Sequence, residues 1–202
     1  MSAWRKKTLW DVDPKLRMDI MRGMILDISP VFRPYPEKPK QTRLPTGESI
    51  PTIYYNDIVR ICDLYGCDFK FVALPPESPV GGSYTAATPS SRPLIQIEIA
   101  SIPLYYWFIP TLAHELSHAI QYQLYRDVWT QIPGYSEKLS VQLAFEWEAC
   151  RLSYYVYKAH FYDPQNPIPH PTFRVYRSRD SHQGLIDNFR NHGYVLEDDL
   201  KP

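Results

Sequence analysis

The chain has 202 residues, of which 20 are proline and 16 are tyrosine, and its formal net charge at pH 7 is zero. This length allows one domain with extensions. The proline share is roughly twice the usual value of about 5%, which predicts long stretches that are neither helix nor central strand. A neutral chain lacks the basic surface of proteins that bind nucleic acid, so we expect no nucleic-acid partner.

The cysteines and the apolar runs predict a cytoplasmic protein without a membrane partner. Cys62, Cys67 and Cys150 are odd in number and lack CxxC spacing, which argues against a disulfide framework and favours a reducing compartment. The N-terminus shows no apolar signal segment, and the longest apolar run, 102–113, contains two prolines and is too short to span a bilayer. A virion is the alternative location.

The first 50 residues predict a short helix followed by an extended arm. Leu16, Ile20 and Met24 recur at a spacing of four within residues 8–28, which indicates a helix. Residues 29–51 contain six prolines and few large apolar side chains. We therefore expect this segment to be an extended arm that cannot form a core and that packs on a folded surface or on a protein partner.

A compact domain is expected to begin near Pro51. Apolar residues at helical spacing between 53 and 65, with Gly66 after them, predict a helix that ends at the glycine. Three strand candidates follow, separated by turns rich in glycine and proline. They are residues 68–74, 82–88 and 94–100.

Two longer helices are predicted in the second half of the chain. Pro110 suits the first turn of a helix at about 110–125. Ser136 is a reasonable N-cap for a helix at about 137–160. A proline-rich stretch follows, and then a short amphipathic helix near 181–192 precedes the acidic end. The predicted units are 1–50, the helix and arm; 51–162, the compact domain; and 163–202, the C-terminal extension.

The helix predicted at 110–125 carries the motif His114-Glu115-Leu116-Ser117-His118. Residues at i and i+4 lie on one face of an α-helix, so both imidazoles can bind one zinc ion at about 2.0–2.1 Å. Glu115 is turned by about 100° from His114, beside the metal, where its carboxylate can take a proton from a zinc-activated water. The alternative is that two core histidines stack on a helix without a metal.

A third protein ligand is expected, because catalytic zinc sites use three protein ligands and leave one position for water. The metzincin pattern fails, since Gln121 and Leu124 occupy the positions of its glycine and histidine. Glu146 lies among apolar helical neighbours without a cation, and an unpaired buried carboxylate is costly, so we choose it as the ligand. Glu148, which can pair with Arg151, is the alternative ligand. An ordinary buried salt bridge is the alternative role of Glu146.

Residues 110–118, PTLAHELSH, and residues 146–149, EWEA, are separated by 27 residues and together resemble the ImmA/IrrE family of small gluzincin metallopeptidases. That family combines a T-L-A-H-E-L-G-H helix with a second helix that carries E-x-x-A. The resemblance extends over 52–160, about half of the chain. It implies that His114, His118 and Glu146 are zinc ligands and that Glu115 is the general base.

The resemblance also implies the fold class. We expect an α+β, gluzincin-like core that contains a helix, a small, mostly antiparallel three-stranded sheet, the HExxH helix and a following helix with the glutamate. In such folds the strand at 94–100 would be the edge strand of the cleft, to which an extended substrate can add by backbone pairing. An ordinary sheet strand is the alternative.

Two positions depart from the family pattern. Ser117 replaces the usual glycine, and Cys150 replaces the acid that orients a metal-bound histidine in related enzymes. An oxyanion stabiliser is expected opposite Glu115. Tyr135 is our candidate for this role, and the alternatives are Tyr154, Tyr157 and His160.

Two functions are compatible with these features. The first is a hydrolase, a zinc metallopeptidase with one Zn²⁺ per chain that cleaves a protein or peptide substrate. The second is a zinc-stabilised assembly protein, such as a component of a viral particle, whose proline-rich arms contact a partner. The two can be distinguished by whether residues 29–51 contact their own domain or point away from it.

Overall fold

The computed structural model describes residues 14–32, 40–44, 47, 49–74, 81–98, 105–126 and 135–161, together with Gly184, Asp187, Phe189 and Asn191. Within these residues the fold is α+β, as predicted. The helices are α1 (Pro14–Ile28), α2 (Thr52–Leu64), α3 (Tyr105–Leu124) and α4 (Tyr135–Phe161). The strands are β1 (Gln41–Arg43), β2 (Ser49–Pro51), β3 (Asp68–Val72), β4 (Gly82–Thr85) and β5 (Leu94–Glu98).

The three-stranded sheet has the order β3-β5-β4, with β5 parallel to β3 and antiparallel to β4. The predicted sheet was mostly antiparallel, whereas this sheet is mixed. The prediction that 94–100 supplies the edge strand is wrong, because β5 lies at the centre. Ile95 and Ile97 are fully buried, and the central strand is where two such side chains lose most contact with water. The edge strand beside α3 is β4.

The core lies between one face of this sheet and the helices. Phe71 of β3 packs against Phe108 of α3, with ring centroids 5.8 Å apart. Ile95 and Ile97 share the core with Ile58 of α2. Each fully buried aliphatic or aromatic side chain contributes about 1.5–3 kcal/mol, so these contacts fix α3 on the sheet.

The segment 29–51 is not an extended arm where it is described. Val31 and Leu44 are buried in the same core as α2 and α3. β1 and β2 form an antiparallel pair, and Gly47 between them adopts a φ of +97°, which favours glycine. Pro51 is the last residue of β2, at the end of a short strand, where proline is tolerated. Val31 and Leu44 thus pack on the segment's own domain, which agrees with the expectation that this segment lies on a folded surface.

Both long helices begin earlier than predicted. Pro110 lies inside α3 rather than in its first turn, although proline has no N–H to donate to the preceding turn. The carbonyl of Pro110 accepts a hydrogen bond from Ser153 Oγ of α4 at 3.0 Å, which ties the two helices together at this point. α4 begins at Tyr135, ahead of the N-cap expected at Ser136.

The C-terminal extension reaches α4 at one described residue. Within the helix predicted at 181–192, the four described residues are helical, and the others lie outside the described residues. Phe189 is buried against Leu143, Trp147 and Cys150 of α4. The division of the chain at residues 162 and 163 stays a prediction. No helix in the described part of the chain is both long enough and apolar enough to cross a membrane.

Candidate metal centre

The HExxH motif lies on α3, in a part of the helix that is enclosed by other described elements. Residues 108–121 of α3 are buried without interruption, because this part of the helix packs between the sheet and α4. A helix that is buried on all sides belongs to the interior of a domain. The imidazoles on it are therefore shielded from bulk water on most sides.

The structure brings together the three residues that the sequence suggested as ligands. His114 Nε2 and His118 Nε2 are 3.1 Å apart. Glu146 Oε2 lies 3.3 Å from the first nitrogen, and Glu146 Oε1 lies 3.4 Å from the second. The ligand atoms all lie within 4.8 Å of one another. Ligand atoms placed tetrahedrally at about 2.0–2.1 Å from a metal are about 3.3 Å apart, so this group can hold a metal ion.

One side of the group is open to solvent. The side chain of His114 is 2% exposed and that of His118 is 11% exposed, whereas the Glu146 side chain is 32% exposed. Water and a ligand can therefore approach the group from the side of Glu146 while the imidazoles remain anchored in the interior.

The electrostatics of the group favour a positive charge between the imidazoles and the carboxylate. Desolvation alone would raise the pKa of Glu146, but the charge of His118 and hydrogen bonds from both imidazoles hold this pKa well below its usual range. Desolvation alone would lower the pKa of His118, but Glu146, Glu115 and the hydrogen bond to Gln121 raise it to about 9. Such a site stabilises a bound cation.

Glu115 lies beside this group, against β4. Its side chain is buried, and burial raises its pKa, while the two imidazoles oppose the shift and Glu146 adds to it. A Cβ placed on Gly82 would lie 3.1 Å from Glu115 Oε1 and 2.7 Å from Thr111 Cγ2. The glycine therefore lets β4 approach the helix closely enough to touch the carboxylate.

Two buried residues connect His118 to α4, and the sequence analysis did not assign them this role. Gln121 Oε1 lies 2.9 Å from His118 Nδ1. Gln121 Nε2 donates hydrogen bonds to Glu148 Oε2 and to the carbonyl of Phe145, each at 2.9 Å. Glu148, the alternative ligand in the sequence analysis, thus directs an oxygen at Gln121. In the sequence, only the spacing of three residues between His118 and Gln121 indicated that these two side chains can meet on one face of the helix.

The imidazole of His114 has a weaker hydrogen-bond partner than that of His118. Cys150 Sγ lies 3.9 Å from His114 Nδ1, at the position where the resemblance leads one to expect an acid. Burial and the carboxylates of Glu146 and Glu115 raise the pKa of the Cys150 thiol, which keeps it neutral. A neutral thiol is a weak acceptor.

The predicted oxyanion stabilisers are not brought to this group by any described contact. Tyr135 is the first residue of α4, and its side chain lies outside the described residues. Tyr154, Tyr157 and His160 follow Glu146 by about 12, 16 and 21 Å along the axis of α4, too far to reach the group. His160 Nε2 donates instead to the carbonyl of Ile25 at 3.2 Å.

Tyr84 lies closer to the group of His114, His118 and Glu146 than the three alternatives on α4 do, and it was not among the predicted site residues. Its ring centroid lies 6.4 Å from that of His118. Its hydroxyl is buried and has no hydrogen-bond partner among the described residues. Burial and the neighbouring Cys67 and Tyr122 raise the pKa of this hydroxyl. The strand predicted at 82–88 contains Tyr84, but only the position of β4 beside α3 brings it to the site.

Comparisons with known proteins give no match to this chain among family models, curated proteins or solved structures. The resemblance to the ImmA/IrrE family therefore stays a prediction that depends on the quoted residues. The conclusions about function depend on the geometry of the site.

Proposed function

We propose that the protein is a zinc-dependent metallopeptidase that hydrolyses a peptide bond in a protein substrate. The observation that carries this proposal is the arrangement of His114, His118 and Glu146 at tetrahedral separations, with Glu115 buried beside them. Two imidazoles and one carboxylate are a ligand set typical of catalytic zinc. A bound zinc ion supplies Lewis acidity for the scissile carbonyl and lowers the pKa of water.

Glu115 acts as the general base in this proposal. Its carboxylate takes a proton from the attacking water and later passes it to the nitrogen of the leaving amine. Burial raises the pKa of Glu115, and a carboxylate with a raised pKa is a stronger base at neutral pH. The close approach of β4 at Gly82 places this strand against the carboxylate.

The free edge of β4 suits an extended peptide. Glu98 N donates to the carbonyl of Gly81 at 2.9 Å, next to the registered pair Gly82 and Ile97. Backbone groups alternate in direction along an antiparallel strand, so those of Gly82 and Tyr84 point away from β5. Among the described residues no strand pairs with that side of β4.

A substrate strand could therefore pair with β4 and present a peptide carbonyl to the metal group. Gly82 lies next to Glu115, and the ring of Tyr84 lies near that of His118, so β4 follows the motif along α3. Backbone pairing of this kind accepts many sequences, which supports a protein or peptide as the substrate. Tyr84, whose ring lies near that of His118, is a further candidate for the oxyanion stabiliser, and Tyr135 stays a prediction.

The alternative of an assembly protein has less support. It depended in part on an arm at 29–51 that reaches a partner, and two residues of this segment, Val31 and Leu44, are buried in their own domain. A zinc site that served only to stabilise the fold would not need a buried carboxylate, such as that of Glu115, beside the ligands. Structural zinc sites are usually closed by four protein ligands.

The test is a comparison of wild type with Glu115→Gln, both loaded with zinc. We expect both proteins to bind one zinc ion per chain and to melt at similar temperatures. Only the wild type should cleave peptides in a mixture of random-sequence peptides analysed by mass spectrometry. Cleavage by Glu115→Gln, or cleavage by the wild type that persists after chelation, would refute the proposed mechanism.

A further inference from the structure

A chain of buried hydrogen bonds joins His118 on α3 to the turn of α4 that carries Glu146. It runs from His118 Nδ1 to Gln121 Oε1, and from Gln121 Nε2 to both Glu148 Oε2 and the carbonyl of Phe145. Gln121 and Glu148 are each 0% exposed. Phe145 and Glu148 lie on either side of Glu146 in the sequence, so the chain of bonds holds the backbone next to the third ligand.

The donors and acceptors allow one orientation of the Gln121 amide. An amide has two N–H donors and one carbonyl acceptor. The carbonyl of Phe145 can only accept, and the Glu148 carboxylate accepts as well, so Nε2 must face both of them. A flipped amide would direct Oε1 at two acceptors and leave buried groups unsatisfied, which costs about 1–3 kcal/mol for each group.

This orientation of the Gln121 amide determines which ring nitrogen of neutral His118 carries the proton. Oε1 is the atom of Gln121 that faces His118, so His118 Nδ1 must donate a proton to it. In the neutral imidazole, which is the form that binds a metal, the lone pair of His118 then resides on Nε2, which faces His114 Nε2 and Glu146 Oε1. The protein thereby selects the tautomer that can bind a metal through Nε2.

The two imidazoles are held unequally. His114 Nδ1 has Cys150 Sγ at 3.9 Å as its neighbour, and a thiol is a weak acceptor. His118 is therefore held more firmly than His114, by Gln121 of α3 and Glu148 of α4. Glu148, which is fully buried, accepts one of the hydrogen bonds from Gln121.

We propose that Gln121 and Glu148 are positioning residues of the zinc site. They hold His118 as the Nδ1–H tautomer and fix the turn of α4 that carries Glu146 against α3. The inference rests on the proposed zinc site, but it concerns residues that do not touch the metal. Loss of a hydrogen-bond partner of a metal-ligating histidine typically lowers metal affinity by about 10–100-fold.

The test compares Gln121→Met with Gln123→Met. Gln123 lies on the same helix, is exposed and donates to the carbonyl of Tyr65 at 3.0 Å, so it is a matched control away from the site. Zinc affinity is measured by competition with a chromophoric chelator, and folding by circular dichroism. We expect Gln121→Met to bind zinc about 10–100-fold more weakly than wild type, and Gln123→Met to bind it with unchanged affinity.

A second pair of variants keeps the inference testable if Gln121→Met does not fold. Glu148→Gln keeps an oxygen that can accept from Gln121, whereas Glu148→Ala does not. We expect zinc affinity close to wild type for the glutamine variant and about tenfold weaker binding for the alanine variant. Equal affinities of these two variants would overturn the inference, as would equal affinities of Gln121→Met and wild type.

A spectroscopic readout separates positioning from a general loss of stability. In zinc-loaded protein with ¹⁵N-labelled histidine, His118 should carry a slowly exchanging proton on Nδ1, and this proton should exchange faster in Gln121→Met. Coordination of zinc by His118 Nδ1 in the wild type would overturn the inference while leaving a zinc site in place. Failure of the wild type to bind zinc would instead refute the proposed function itself.

Discussion

Replacement of Gly82 by alanine would insert a methyl group into the contact between β4 and α3. The new Cβ would lie 2.7 Å from Thr111 Cγ2, 3.1 Å from Glu115 Oε1 and 3.3 Å from the carbonyl oxygen of Gln96. Thr111 is 1% exposed and its β-branched side chain has few rotamers, so it cannot move aside easily. Such overpacking costs about 1–3 kcal/mol.

Urea unfolding measures this cost, with Gly23→Ala as the control. No atom lies within 4 Å of a Cβ built on Gly23, which lies inside α1. Alanine at that position should therefore stabilise the protein by about 0.5–1 kcal/mol. Peptidase activity of folded Gly82→Ala should also fall, because β4 must shift relative to Glu115.

A double variant identifies the responsible contact. Thr111→Ser removes Cγ2 and keeps the hydroxyl, so Gly82→Ala combined with Thr111→Ser should regain part of the lost stability. The reasoning is refuted if Gly82→Ala is as stable as wild type. It is refuted equally if Thr111→Ser destabilises the alanine variant as much as it destabilises the wild type.

Three further predictions concern the ligands, the pH dependence and the N-terminal segment. Glu146→Gln should lower zinc affinity in chelator competition far more than Glu148→Gln does; the reverse result would make Glu148 the ligand. Desolvation lowers the pKa of His118, but Glu146 and the other acceptors raise it to about 9, so below that pH zinc must displace its proton. The apparent dissociation constant should therefore rise by about tenfold per unit as the pH falls from 9 to 7, and zinc titrations that show no pH dependence would contradict this. Deletion of residues 1–50 removes buried core residues, namely Met24, Ile28, Val31 and Leu44, so it should abolish cooperative melting; native-like melting of the truncated protein would instead support a domain boundary at Pro51.

The grouping of His114, His118 and Glu146 could be predicted because its signals are local. His114 and His118 are one helical turn apart, and the apolar neighbours of Glu146 indicated a carboxylate that needs a cation. Both features can be read within a single helix. The structure brings the three side chains together across α3 and α4.

The hydrogen-bond partners of these three residues could not be predicted in the same way. The contact of Gln121 with Glu148 joins two helices whose relative position depends on the whole core. The only local indication of this contact was the spacing of three residues between His118 and Gln121. In the sequence, Gln121 was noted only because it occupies the position at which metzincins have a glycine. Tyr84 likewise reaches His118 only because β4 lies beside α3.

The errors in the fold have the same origin. The pattern of 94–100 indicated a strand, but strand order is a non-local property, and the burial of Ile95 and Ile97 places this strand at the centre. Pro110 usually begins a helix, yet packing of α3 extends the helix before it. The hairpin of β1 and β2 had a local turn signal in Gly47, which the proline count of this segment concealed.

The proposed function depends on one zinc ion bound by His114, His118 and Glu146. Zinc K-edge X-ray absorption of the zinc-loaded wild type tests this most directly. The expected spectrum shows nitrogen and oxygen ligands at about 2.0–2.1 Å, two of them imidazoles, and no sulfur. A sulfur ligand at about 2.3 Å would mean that Cys150 takes the place assigned to Glu146, and a spectrum without two imidazoles would contradict the site itself.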